Sequence, residues 1–174
     1  IDGTHLVHPV PQKIELPEGY ARVDYVESQG DAALDLGFKP TKNTRIEIGY
    51  QMLSTGPYSM LLGANDGTKY YVGQNSDGTK NRFTAGNDQA DDIIGCGVFD
   101  QEWHDLVFND DNHQVIQDGN VIATLPFKNF PEQGMSKSVG LFALPQSGGY
   151  LYSMAGRVSY CRVYEHGVLT KCFV

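Results

Sequence analysis

Between Val98 and Thr124 the sequence dictates its own folding more firmly than anywhere else. Trp103-His-Asp-Leu-Val-Phe108 reads as a strand, with apolar residues at Trp103, Leu106 and Phe108 and Val107 between them. Asn109-Asp-Asp-Asn112 is a polar tip, His113 to Gln117 runs back, Asp118-Gly119-Asn120 turns again, and Val121 to Leu125 completes a three-strand meander. Asp-Gly between two apolar runs is a strong hairpin signal, because glycine takes a positive φ without a Cβ penalty. Trp103 is the single tryptophan, and a large ring opening a strand is expected to fill a core.

The rest of the chain repeats this pattern. Thr44-Arg-Ile-Glu-Ile-Gly-Tyr50 alternates cleanly, with Ile46 and Ile48 inward and Arg45 and Glu47 outward. Strands are expected over Arg22–Glu27, Ala32–Leu36, Tyr58–Leu62, Lys69–Gly73, Asn81–Ala85 and Ile93–Val98, and later over Ser138–Leu144, Tyr150–Val163 and Val168–Val174. Asp-Gly-Thr-Lys occurs twice, at Asp66 and Asp77, and reads as two hairpin turns. No stretch carries an apolar stripe at helical spacing. Short strands with turn signals about every 8–12 residues argue for an all-β, antiparallel two-sheet sandwich or barrel.

Residues 1–18 carry Pro9, Pro11 and Pro17 and read as a linker or tail, with one domain over 19–174. The chain opens on Ile1, which suggests a processed protein or a piece of a longer one with further domains. The formal charge is −8 and the thirteen Lys and Arg are scattered, so no basic stripe suits nucleic acid. No apolar run approaches the roughly eighteen residues a membrane span needs.

Cys96, Cys161 and Cys172 lack zinc-site spacing. A two-residue His166-Gly167 turn would set Cys161 opposite Cys172. A three-residue Glu165-His-Gly167 turn would pair Val163 with Leu169 and put the two cysteines on opposite faces. The second register gathers the apolar residues on one face and is preferred, so free thiols are expected.

Three segments together resemble a family. Leu16-Pro-Glu-Gly-Tyr20, Tyr25-Val-Glu-Ser28, Leu34-Asp35 with Gly37, and Lys39-Pro40 followed by Asn43-Thr-Arg45 look like the opening of bacterial and phage laminin G-like domains. Trp103-His104 with Asp118-Gly119 looks like their central motif, and Gly156 to Tyr164 with Gly167-Val-Leu169 like their closing one. The resemblance implies a concanavalin A-like jelly roll of the lectin–glucanase kind, extracellular or surface-displayed, often glycan-binding and sometimes calcium-binding. Ala33 stands where the opening motif usually has a tyrosine. In the closing segment, Val158, Cys161 and Val163 can all face inward only if a bulge separates Val158 from Cys161.

The same kind of fold hosts β-glucanases, whose chemistry needs two carboxylates flanking the scissile bond. Glu-x-Asp-x-x-Glu does not occur, Glu47 sits alone on its strand, and no Gly-x-Ser-x-Gly is present. The chain is therefore expected not to be an enzyme. Calcium, if bound, would be held by Asp88, Asp91 and Asp92 beside Asn87, with Asn109-Asp-Asp-Asn112 a second oxygen-rich loop. A glycan site would need aromatic rings beside hydrogen-bonding groups. Tyr58, Tyr70, Tyr71, Tyr150 and Tyr152 supply the rings, and Asn87 and Gln146 the polar groups. The expected function is a carbohydrate-binding module of a secreted or surface protein. The alternative is an adhesin or phage-fibre domain whose partner is a host-surface protein.

Overall fold

The computed structural model describes residues 23–86, 92–146 and 149–173. The linker expected at 1–18 and the residues Asn87, Asp88 and Asp91 lie outside these. The chain forms β1 (Val26–Gln29), β2 (Leu34–Asp35), β3 (Thr44–Met52), β4 (Met60–Asn65), β5 (Lys69–Gln74), β6 (Asn81–Gly86) and β7 (Asp92–Ile94). It continues through β8 (Trp103–Phe108), β9 (Gln114–Gln117), β10 (Asn120–Thr124), β11 (Gly140–Leu141), β12 (Leu144–Gln146), β13 (Gly149–Leu151), β14 (Ala155–Glu165) and β15 (Val168–Phe173). A seven-stranded sheet runs β1-β14-β3-β8-β9-β10, with β15 also paired to β14. A six-stranded sheet runs β2-β11-β4-β5-β6-β7, and β12 and β13 form a small third sheet. Every pairing is antiparallel.

The alternation that defined the strands also builds the core. Ile46, Ile48, Tyr50 and Met52 of β3, Leu106 and Phe108 of β8, and Val158, Cys161 and Val163 of β14 point in from the large sheet. Leu62, Ala64, Tyr70, Val72, Phe83 and Ala85 meet them from β4, β5 and β6. The result is an all-β jelly-roll sandwich with one continuous core between two sheets.

The bulge required in β14 is present: register shifts between Val158 and Tyr160, leaving Ser159 unpaired. Tyr160 then lies across Gly49, where a Cβ would come within 2.6 Å of both its ring and Ser159 Oγ. Only glycine fits beneath that ring.

The hairpin register at the end of the chain differs from the expectation. Glu165 pairs with Val168 across a two-residue turn, His166 and Gly167 both having positive φ, 50° and 75°. That is the turn expected to align the cysteines. A bulge further along shifts the register, so that Cys161 pairs with Phe173 and Arg162 with Cys172. The thiols are free, as expected, with Cys161 buried and Cys172 exposed. A one-residue slip separates two cysteines as effectively as a longer turn.

Trp103 is a second correction. Leu106 and Phe108 fix the inward parity of β8, and Trp103 has the opposite parity. The residue is 45% exposed, on the outer face of the large sheet, and is absent from the core. Large-to-small replacement should therefore separate the two aromatics of β8. Phe108→Ala is expected to lose about 3–5 kcal/mol. Trp103→Ala should lose about 1 kcal/mol or less, as exposed substitutions do. Urea unfolding of both variants checks this, and equal losses would return Trp103 to the core.

Candidate functional site

The outer face of the seven-stranded sheet carries the densest set of chemically useful side chains. Strand register sets them out in rows. Glu27 of β1 pairs with Arg157 of β14, Arg157 with Gln51 of β3, and Gln51 with Trp103 of β8. Paired residues share a face, so this row crosses four strands over roughly 14 Å. Tyr160, Gly49 and Asp105 form the next row, and Arg162, Glu47, Val107, Ile116 and Val121 the one after. Tyr164 and Arg45 close the series.

Trp103 stands beside Tyr25, which precedes β1, with ring centroids 6.3 Å apart. The polar groups around the pair are held in place. Arg157 Nε donates to Glu27 Oε2 at 2.5 Å, and Arg157 Nη1 to Gln51 Oε1 at 3.2 Å. Gln51 Nε2 donates to the carbonyl of Gln101 at 2.7 Å. Three arginines of the face each lie over a tyrosine ring: Arg157 over Tyr25 at 4.8 Å, Arg162 over Tyr160 at 4.9 Å, Arg45 over Tyr164 at 4.1 Å. Such stacks are worth about 0.5–1 kcal/mol at exposed sites and fix the direction of the guanidinium. The buried Nε of Arg45 has no acceptor.

Two carboxylates come together here that the sequence keeps far apart. Glu47 is the single carboxylate of β3, as expected, and Asp105 of β8 lies diagonal to it. Tyr164 donates to Glu47 at 3.1 Å and Tyr160 to Asp105 at 2.7 Å. Burial first, then the Asp105 hydrogen bond, pushes the Tyr160 hydroxyl far above its usual range, so it stays a neutral donor.

The residues named from sequence fall elsewhere. Tyr70 is fully buried and donates to the carbonyl of Thr44 at 2.7 Å, which removes it as a platform. Tyr71 is buried in a satellite cluster with Met60 and Leu144, against which Tyr58 packs. Tyr58 and Tyr152 touch, their rings 4.7 Å apart, and Tyr150 and Tyr152 are exposed. Asp92 begins β7 and Gln146 ends β12; beyond that placement in their strands they, like Asn87, Asp88 and Asp91, stand outside the described side chains. Among the described residues no three His, Cys, Asp or Glu gather as metal ligands. In the Asn109-Asp-Asp-Asn112 tip, Asp110 Oδ1 accepts from the amides of Asn112 and Gln114, both at 2.8 Å, and so shapes the turn.

Sequence reasoning missed Glu27, Gln51, Asp105, Arg157 and Tyr160. The alternation did place Arg45 and Glu47 outward, and the same parity extended to Gln51 and across to β14 was the available signal.

His104 belongs to the architecture. Nδ1 lies 2.7 Å from Asp118 Oδ2 and Nε2 lies 2.9 Å from Asp100 Oδ1, so both nitrogens face carboxylates. Asp118 Oδ1 also accepts from the Asp105 amide at 2.9 Å. Desolvation opposes charge on His104, but the hydrogen bonds and charges of Asp118 and Asp100 prevail and raise its pKa. Asp118 is lowered against its own desolvation by the Asp105 amide and His104, and Asp100 by the Glu102 amide and His104.

No family model matches this chain, and no curated protein does. Among solved structures it is similar to an immunostimulatory antigen and pseudo beta-1,3-glucanase of Mycobacterium tuberculosis. The TM-score is 0.47 at 16% identity, covering 76% of this chain and 68% of that one. The neighbour's description joins a glucanase name to the qualifier pseudo, and the expectation that this chain is not an enzyme is withdrawn on that finding.

The His104 clamp generates a pH dependence. A raised histidine pKa stabilises fully below the unfolded value of 6.5 and is lost as pH rises through the folded value. The lowered Asp100 and Asp118 stabilise fully above the unfolded 3.8 and lose this as pH falls through their folded values. Melting temperature should therefore be highest in the mildly acidic range and decline through neutrality. The scan should stop near pH 8, because the buried Cys161 thiol, pushed up to about 12, adds its own loss as the unfolded thiol ionises near 9.0. In His104→Gln the decline between about pH 6 and 8 should flatten. An unchanged slope would show that the clamp carries no charge.

Proposed function

We propose that this domain recognises carbohydrate on the outer face of its seven-stranded sheet, with Trp103 as the stacking platform. One observation carries the reading. The single tryptophan stands exposed in a row with Gln51, Arg157 and Glu27, beside Tyr25. A sugar ring offers an apolar face of C–H groups and a rim of hydroxyls that both donate and accept. Exposed indole suits the first. A guanidinium, an amide and a carboxylate held at fixed positions suit the second. The side chains are already ordered by stacking and ion pairing, which lowers the entropy lost on binding. A carbohydrate role also agrees with a lectin–glucanase type of sandwich.

The finer reading places the chain among laminin G-like modules of secreted or surface proteins, with a glycan as partner. Its support is the run of opening, central and closing segments around Tyr25, Trp103-His104 and Gly156 to Tyr164.

Because Trp103 is the only tryptophan, its emission reports on the site directly. Titration with a panel of soluble polysaccharides should shift that emission for at least one member. Trp103→Ala should weaken binding to that member roughly ten- to a hundredfold, the usual range for a lost stacking platform, without changing the melting temperature much. Silence across the panel, with a protein captured from a host surface instead, would replace carbohydrate recognition by protein recognition. Binding that survives Trp103→Ala but is lost in Tyr152→Ala would move the site to the opposite sheet.

A further inference from the structure

Among the described residues, the outer face of the large sheet contains three arginines, and all three are answered by glutamates of the same face. Arg157 is held by Glu27 at 2.5 Å, Arg45 lies 3.3 Å from Glu47, and Arg162 lies 3.8 Å from the other oxygen of Glu47. Each guanidinium has one flat side on a tyrosine. Asp105 adds a third carboxylate, bonded to a neutral tyrosine hydroxyl. Arg45, Arg157 and Arg162 are thus balanced in number by Glu27, Glu47 and Asp105, on a chain whose net charge is −8.

We propose that Glu27 and Glu47 are specificity determinants of this face, and that they make it select neutral glycan chains over acidic ones. The inference rests on carbohydrate recognition at this face and names the class of chain recognised. A uronate or sulfate approaching Arg157 or Arg45 meets a guanidinium already engaged by a carboxylate. Binding would set two anions side by side around one shared cation, in the field of an acidic domain. A neutral sugar meets no such penalty. One hydroxyl can donate to a glutamate oxygen while its neighbour accepts from the guanidinium beside it. Selectivity of this kind comes from a repulsive element placed against the wrong ligand as much as from attraction to the right one. Arginine without the glutamates would be a good anion receptor, since its planar fork matches carboxylate and sulfate. The glutamates suppress that chemistry.

The experiment compares the parent protein, Glu27→Gln and Glu47→Gln on neutral polysaccharides (a soluble β-glucan, a mannan) and acidic ones (polygalacturonate, heparin), at low and high salt. The parent should bind a neutral chain, with little change between the two salt concentrations. Glu27→Gln frees the Arg157 hydrogen bond, Glu47→Gln releases the ion pairs of Arg45 and Arg162, and each removes a negative charge. Each variant's ratio of acidic to neutral affinity should rise roughly tenfold, the size of one charge-assisted hydrogen bond, and this new acidic binding should weaken at high salt. Melting curves confirm that the variants fold. If Glu47→Gln does not, Glu27→Gln on β1 carries the test alone. A parent that prefers an acidic chain, with that binding abolished by Trp103→Ala, would overturn the specificity while leaving carbohydrate recognition intact. Unchanged ratios in both folded variants would also overturn it. Failure of the parent to bind either class would remove the recognition reading, and this inference with it.

Discussion

The pairing of β3 with β14 runs almost the full length of both strands and is interrupted at one residue, Ser159. On one side of the bulge Val158 faces the core and Arg157 faces out; on the other Cys161 and Val163 face in and Tyr160, Arg162 and Tyr164 face out. Strict alternation from Val158 would turn Arg162 and Tyr164 inward and Cys161 and Val163 outward. A guanidinium would then be stripped of water without a partner, which costs far more than a bulge. The inserted residue therefore fixes both the sandwich interior and the composition of its outer face. Tyr160 can lie flat beside it only because Gly49 has no Cβ.

The meander of β8, β9 and β10 is fastened to this frame by polar groups. Asp118 and Gly119 form a two-residue turn at positive φ, 51° and 80°. The Asp118 side chain reaches back to His104 and to the Asp105 amide. Gln117 Nε2 donates to the Tyr50 hydroxyl at 3.0 Å and also to the carbonyl of Val98, while its Oε1 accepts from the Val98 amide at 2.7 Å. One hairpin thereby satisfies polar groups of two other strands, β3 and β8, and of the loop before β8. His104 has both nitrogens committed to carboxylates, which raise its pKa, and so ties β8 to the Asp118 turn and to the loop that carries Asp100.

These facts explain how far the sequence could be read. Period-two alternation and Asp-Gly turns are local, and they placed the strands, the sandwich and the β14 bulge. The inward face of β14 was legible because three apolar residues could be reconciled only by an inserted one. Trp103 went wrong because ring size outweighed parity: Leu106 and Phe108 already assigned it outward. The closing hairpin went wrong in its turn and right in its thiols, since a bulge near Thr170 performs the shift ascribed to the turn. Tyr70 and Tyr71 alternate on β5, and both are covered, because β12 lies across the outer side of the small sheet. Nothing near Tyr71 in sequence announces that cover. The row proposed to bind was the least legible feature. Glu27, Gln51, Trp103 and Arg157 come from four segments, and only the register of three strand pairs brings them together.

Exposed aromatics occur on both outer faces, and physical context separates them. Tyr58 and Tyr152 have positive φ, 57° and 59°, a conformation that bulky residues adopt only when their surroundings hold them there. The holding interactions are visible: the Met60 amide donates to the Tyr152 carbonyl at 3.0 Å, the Tyr58 amide to the Asn75 carbonyl at 2.9 Å. Tyr58 packs on Met60, Tyr71 and Leu144, and the Tyr152 ring meets the Tyr58 ring. That arrangement covers apolar side chains and seats the β12–β13 hairpin on the sheet, a stabilising role that uses the ring faces. Trp103 has no such duty. Its neighbour Tyr25 touches it at a tilt of 54°, Arg157 stacks on Tyr25, and the polar groups that a sugar rim needs lie in its own row. Of the two aromatic sets, the one the core does not require is the one with hydrogen-bonding partners beside it.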